Sequence, residues 1–455
     1  MNTGKQLAVA KMRAAGVGAT AIAIFADYWD QLASGATGVI PEASISPMAT
    51  PDTITNLDSA TPQDREALSR TAIIKLNGGL GTSMGLDKAK TLLPVRDGLT
   101  FLDIIVRQVQ WARQQYDIKL PLVFLHSFST RADVLEALEA YPDLTVDDLP
   151  LDMMQSEEPK LLRSDLTPVS WPANPVLEWC PPGHGDLYPT LLDSGILDAL
   201  IDAGFQYASV SNSDNLGAAP SPALAGWFAR TGAPFATEIT RRTPMDVKGG
   251  HIAVRRSDGR LILRESAQTL PGEMTYFTDP AIHPYAHCNN LWFDLAALRA
   301  KLDATSGVLK LPLIRNAKVV DPADPASPPV FQIESAMGAA IESFEGATAI
   351  AVPRSRFLPV KTTNELTLLR SDVFEFGEDF IPRATVSPLP VITLSPAYST
   401  ISAYEQRIPY PMFLRGTRTF TVDGDWSFGT TVRVIGDVHL PDDGGAIRGG
   451  SVLSG

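Results

Sequence analysis

From Thr71 onward the chain alternates short runs rich in β-branched and aromatic residues with segments whose apolar residues recur every three or four positions. This alternation limits the fold more than any other feature. The runs TAIIKL (71–76), PLVFLHS (121–127), YASVSN (207–212), PFATEIT (234–240) and ATAIAV (347–352) read as strands. Phe101–Tyr116, Thr130–Glu139 and Ala223–Arg230 read as helices. Strand and helix in turn predict an α/β domain built on a mixed, mostly parallel sheet. In such sheets ligands bind beyond the carboxyl ends of the strands.

At 455 residues the chain exceeds one small core, and three parts are expected. Residues 1–70 form an N-terminal helical segment, residues 71–384 the α/β domain and residues 385–455 a C-terminal domain. In the first part an apolar stretch from Ala14 to Ala26 superficially resembles a secretory signal. It is rich in Ala and Gly, however, and Ile22, Phe25, Trp29 and Leu32 keep helical spacing past Asp27 and Asp30. An amphipathic, core-facing helix is the expectation. Gly35 to Pro62, rich in Ser, Thr, Pro and Gly, predicts a long surface connection. In the third part, Phe420/Val422, Trp426/Phe428, Val432/Val434 and Val438/Leu440 repeat every six residues, with Gly424 and Gly436 at turn-like positions. That period suggests a β-helix, with ordinary hairpins as the alternative. Its open strand edges suggest self-association into a homo-oligomer.

Composition narrows the function. Acidic residues number 51 against 38 basic ones, a net charge of -13, which argues against a nucleic-acid-binding surface. Cys180 and Cys288 lack CxxC spacing and read as free thiols of a reducing, cytoplasmic compartment. No run approaches the roughly 20 apolar residues that span a bilayer.

The strongest motif is Lys75-Leu-Asn-Gly-Gly-Leu-Gly-Thr-Ser-Met-Gly-Leu-Asp-Lys-Ala-Lys90, directly after a predicted strand. Gly78, Gly79, Gly81 and Gly85 allow tight turns and close approach of backbone N–H groups to an anion. The spacing matches neither the dinucleotide fingerprint GxGxxG nor the phosphate loop GxxxxGK[ST]. Further on, Ser211-Asn-Ser-Asp-Asn-Leu-Gly217 ends a predicted strand with a carboxylate at its tip. A hard cation is held in that way, and Mg2+ takes one or two carboxylates plus phosphate oxygens.

The run NGGLGTSMG followed by a lysine resembles the signature of the eukaryotic-type UDP-glucose pyrophosphorylases. These belong to the wider nucleotide-sugar pyrophosphorylase superfamily. The resemblance implies a Rossmann-like nucleotidyltransferase domain with a C-terminal left-handed β-helix, and it extends along nearly the whole chain from residue 71. It places Gly78, Gly79, Gly81 and Thr82 against the nucleotide and Lys90 on the phosphates, although Ala89 stands where the family has proline. Gln155 would contact the uracil edge, for which an amide offers both donor and acceptor. In Pro181-Pro-Gly-His-Gly185, Gly183 would neighbour the uracil and His184 the phosphate or ribose. Asn212 falls to the ribose or phosphate, and Asp214 to Mg2+ or its immediate shell. Gly250, Glu265 and Asn289 would hold glucosyl hydroxyls. In RFLPVKTT (356–363), Phe357 would wall the sugar pocket and Lys361 would reach the phosphates.

The implied reaction joins UTP and glucose 1-phosphate to give UDP-glucose and pyrophosphate, reversibly and with Mg2+. One departure stands out, because the family's Asn-Thr-Asn-Asn reads His287-Cys-Asn-Asn290 here. A broader UDP-sugar pyrophosphorylase that also takes galactose 1-phosphate therefore remains open, as does a non-catalytic sugar-nucleotide-binding subunit.

Overall fold

The structure is a computed structural model that describes residues 3–81, 84–243, 246 and 249–455. At its centre lies an eight-stranded sheet. Its strands are β1 (Asp52–Thr53), β2 (Thr71–Asn77), β3 (Leu122–His126), β4 (Asp152–Met154), β5 (Tyr207–Asn212), β6 (Phe235–Arg241), β7 (Tyr285–Asp294) and β8 (Thr348–Ala351). They lie side by side in the order β1-β8-β6-β7-β5-β2-β3-β4. Neighbours are parallel except at β7, which runs antiparallel between β5 and β6. Ile73 and Phe124 enter the apolar layer on one face, and Ile74 and Val123 the layer on the other. Burial on both faces explains why these strands read as unbroken apolar runs. The helix Phe101–Tyr116 covers one face with Phe101, Leu102, Ile105 and Val109, and starts at a capping box between Thr100 and Asp103, which satisfies its first free N–H groups.

The five strands and three helices read from the sequence all form, within one or two residues of their expected ends. The N-terminal segment departs from expectation in two ways. Its apolar stretch is broken between α1 (Thr3–Ala14) and α2 (Ala19–Ala33), where Gly16 adopts a positive φ of 78°. Ile22, Phe25, Trp29 and Leu32 are nonetheless buried. The supposed surface connection also takes part in sheets. Ile45–Pro47 pairs antiparallel with the strand His251–Arg255, and β1 is an edge of the central sheet. Backbone pairing does not depend on side-chain type, so composition did not reveal it.

At the C-terminus, Val391–Leu394, Phe413–Val422, Arg433–Leu440 and Val452–Ser454 form one parallel ladder, and Trp426–Phe428 with Gly445–Ile447 a second. Hairpins would pair antiparallel, so that alternative does not hold. Phe420, Val422, Phe428, Val432, Val434 and Val438 point inward and join the apolar layer on one face of the central sheet. A Cβ at Gly424 would sit 2.7 Å from the carbonyl oxygen of Pro441, so glycine is required where successive turns touch. Among the described residues no helix is long and apolar enough to cross a membrane.

Candidate functional site

The glycine-rich loop leaves the carboxyl end of β2, and its root is fixed by buried polar groups. Thr91 Oγ1 donates to Asn77 Oδ1 at 2.9 Å, Thr130 Oγ1 to the Asn77 carbonyl at 2.7 Å, and Ser127 Oγ to the Gly78 carbonyl at 2.8 Å. Asn77 Nδ2 lies 3.3 Å from His126 Nδ1. Burial pushes His126 down to about 4, so its neutral ring accepts this bond. Gly81 turns the loop with φ 72°. Thr82 lies outside the described residues.

A cleft of about 310 Å³ at this end of the sheet brings together Gly78, Gly79, Lys90, Gln155, Gly183, His184, Asn212 and Asp214. The Gln155 side chain packs on Gly78, where an added Cβ would lie 3.1 Å from Gln155 Oε1. Gly183 has φ 79° and its Cβ position is only 2.6 Å from the Ser335 carbonyl, so no larger residue fits. His184 Nδ1 accepts from Met337 N–H at 2.9 Å, which leaves the ring proton on Nε2. Burial, and then the charge of Lys361, hold this histidine at about 4. It is a neutral donor rather than a cation.

Lys90 Nζ donates to Asp214 Oδ2 at 2.8 Å and also to the Val360 carbonyl. The other oxygen of Asp214, Oδ1, is buried with no partner among the described residues. A buried acceptor left open in this way suits a bound cation or donor. The loop carrying Asp214 is zipped to the segment that carries Lys361. Asn215 Nδ2 donates to the Arg356 carbonyl at 3.0 Å, Asn215 Oδ1 accepts from Leu358 N–H at 2.9 Å, and Val360 N–H donates to the Asp214 carbonyl at 3.2 Å. Lys361 itself is exposed and makes no hydrogen bond or ion pair among the described residues. Its charge nevertheless acts on both His184 and Glu265.

Beneath these segments lies a charged network that the sequence reading did not assign. Arg356 donates to both oxygens of Glu238, at 3.0 and 2.8 Å, and to the Ala219 carbonyl at 2.5 Å. Asn290 Nδ2 and Trp292 Nε1 each donate to Glu238 at 2.9 Å. Burial opposes ionisation of Glu238, but Arg356 and these donors outweigh it and hold the carboxyl below its usual range. Nearby, Lys75 Nζ donates to Ser211 Oγ and to the Ala218 carbonyl, both at 2.8 Å. Burial, with Arg356 adding to it, brings Lys75 down to about 7. A signal did exist, because a lysine in TAIIKL and a glutamate in PFATEIT are charges inside strands buried on both faces.

The sugar-side candidates Gly250, Glu265, Asn289 and Phe357 do not line this cleft, and neither does Lys361. Gly250 and Glu265 meet across the hairpin formed by His251–Arg255 and Leu261–Arg264, where a Gly250 Cβ would lie 2.7 Å from Glu265 Oε2. Burial raises the Glu265 carboxyl, with Lys361 opposing. Asn289 has φ 54° within an irregularity of β7, where Cys288 to Asn290 stand opposite Glu238 alone. Such bulges re-aim side chains next to active sites. Asn289 Oδ1 is buried and open among the described residues. His287 is buried, its Nε2 likewise open, and burial, then His184, push it down to about 3. Phe357 is buried, with the Arg354 guanidinium 5.1 Å above its ring.

The chain matches the family described as UTP--glucose-1-phosphate uridylyltransferase over residues 23–434. It is 36% identical over 401 residues to the UTP–glucose-1-phosphate uridylyltransferase of Saccharomyces cerevisiae, covering 87% of this chain and 79% of that protein. The enzyme of the same name from Musa acuminata is also 36% identical, over 87% of this chain and 85% of its own. Among solved structures, UDP-glucose phosphorylase from Trypanosoma brucei superposes with a TM-score of 0.92 at 38% identity, covering 99% of this chain and 98% of that one. A point mutant of Leishmania major UDP-glucose pyrophosphorylase in complex with UDP-glucose gives 0.93 at 39%, covering 100% and 98%. The matched span holds both the glycine-rich loop and the segment bearing Lys361, and the chain belongs to the UTP–glucose-1-phosphate uridylyltransferase family.

Proposed function

We propose that this protein transfers the uridylyl group of UTP to glucose 1-phosphate, releasing pyrophosphate and forming UDP-glucose, and runs the reaction in both directions. A phosphate oxygen of the sugar phosphate forms the new bond to the α-phosphorus, and the α–β bridging bond of UTP breaks. The nucleophile is already anionic, so no side chain need remove a proton. The protein must instead align two anions that repel each other and compensate charge that moves to the leaving group.

The observation that carries this reading is the convergence of Lys90, Asp214 and the segment bearing Lys361 beside a glycine-rich loop. Lys90 would neutralise the pyrophosphate side, and Lys361 would bridge the sugar phosphate and the α-phosphate. Gln155 and Gly183 suit the uracil, and His184 Nε2–H suits a ribose or phosphate oxygen. Glu265, Gly250 and Asn289 suit glucosyl hydroxyls, with Phe357 as a wall. Asp214, with one buried oxygen open, fits a Mg2+ ion, which when bound would supply positive charge to the phosphates. The parallel C-terminal ladders support a left-handed β-helix, and the exposed Val452 on their last strand supports self-association there.

Incubation with UDP-glucose, pyrophosphate and Mg2+ should release UTP and glucose 1-phosphate. Binding of UDP-glucose without release would leave the non-catalytic reading standing. His287, buried with its Nε2 open among the described residues, favours a broader sugar range as a second reading. Equal kcat/KM for glucose and galactose 1-phosphates would establish it, and a strong preference for glucose would remove it.

A further inference from the structure

The hairpin that presents Gly250 and Glu265 has a support on its inner side. One step further into its ladder, His251 faces Arg264, and the Arg264 side chain is fully buried. Two carboxylates hold its guanidinium. One is Glu273, at 2.6 Å, from the loop that follows Glu265. The other is Glu42, from the N-terminal strap that composition marks as a mere connection. Glu42 also meets His283 Nε2 at 3.0 Å through its second oxygen, and its N–H donates to Glu273 at 2.9 Å. The strap is further sewn to this region by Ile40 N–H to the Gln268 carbonyl at 2.8 Å, and by the pairing of Ile45–Pro47 with His251–Arg255. Glu42 thus ties together three separate stretches around the candidate sugar residues.

We propose that Glu42 is a positioning residue for the glucosyl subsite, acting through Arg264 and Glu273 to fix the placement of Glu265 and Gly250. The inference rests on the reading that those two residues face the sugar. Its physical basis is the cost of an under-compensated buried charge. Without Glu42, Arg264 keeps one carboxylate, and its Nε is already open among the described residues. The guanidinium must then shift toward other acceptors, and it drags the adjacent Glu265 with it. The uridine wall is built on the glycine-rich loop, Gln155 and Gly183, and shares none of these contacts.

Titration calorimetry with UDP-glucose and with UDP reads this directly, because the two ligands differ by the glucosyl group alone. Since a misplacement of about 1 Å costs on the order of 100-fold, Glu42→Ala should weaken UDP-glucose by at least about tenfold while UDP changes by less than about twofold. Glu42→Gln, which keeps an acceptor for Arg264, should fall between, and it carries the test if the alanine variant does not fold. Equal weakening of both ligands, or of neither, overturns the proposal and leaves Glu42 a brace of the fold. Glu265→Gln separates the two layers of argument. If it lowers the preference for UDP-glucose and Glu42→Ala does not, only the role of Glu42 fails. If neither variant changes the preference, the sugar-side reading fails with it. An effect of Glu42→Ala without one of Glu265→Gln overturns the proposed route.

Discussion

Two ammonium groups are assigned to the same chemistry and are held in opposite ways. Lys90 is tied down in the free protein by Asp214 and by the Val360 carbonyl. Lys361 is exposed and without a partner among the described residues, and only the chain on either side of it is secured. On the proposed roles, charge would be delivered in two ways. The first holds the ammonium against a carboxylate that a bound Mg2+ would share. The second leaves the ammonium free and fixes the chain a few residues upstream, through Arg356 on Glu238 and through the amide of Asn215.

The contrast can be broken at several points. The largest effect should come from Arg356→Met, which strands Glu238 in the core. Losing one partner of a buried pair costs about 3–5 kcal/mol, so denaturant unfolding should show a deep loss of stability, with kcat falling as the Lys361 segment loosens. Next comes Lys361→Ala, expected to lower kcat on the order of 10²–10³-fold if the ammonium acts like a lost oxyanion donor. Because that ammonium has no partner among the described residues, the melting temperature should not move. Lys90→Ala should lower kcat comparably, but it also leaves Asp214 unsatisfied, at about 1–3 kcal/mol. Its melting curve should therefore shift. Identical melting behaviour of the two alanine variants would erase the distinction between stored and free lysines.

The smallest effect concerns pH. His184 is depressed from its ordinary 6.5 to about 4 in the fold, so in that window the unfolded chain binds the extra proton more readily. Its contribution to stability is complete above pH 6.5 and is lost as pH falls toward 4. The His184→Gln variant should show a shallower loss of melting temperature across that range. Activity should carry no inflection near 6.5 from this residue, since a neutral donor is present throughout. A clear inflection that disappears in His184→Gln would mean the ring works as a cation after all.

Much of the architecture was legible because buried parallel strands announce themselves as apolar runs. TAIIKL and PLVFLHS matched their strands closely for that reason, and Phe101–Tyr116 matched its helix because its apolar residues keep three- and four-residue spacing. The residues that line the cleft were also legible as a group, since a glycine-rich turn and a carboxylate at a strand tip leave a local mark. What escaped were pairings between distant stretches. Arg356 stood in a quoted motif, yet nothing local connects it to Glu238. Glu42 stood in a segment whose composition says loop, and composition does not say what a loop is bonded to. The break between α1 and α2 was written in Gly16 and Gly18, but the surrounding apolar content outweighed it.

The irregular stretch of β7 has an evolutionary corollary. His287 packs against Gly338, while Asn290 and Trp292 reach Glu238 from the opposite side. Lengthening or shortening the strand by one residue would exchange those orientations and pull the anchor apart. Single replacements at His287 leave the anchor untouched. Divergence among relatives should therefore proceed here by substitution at constant length, so that the side chain at His287 can vary while the scaffold beneath stays fixed.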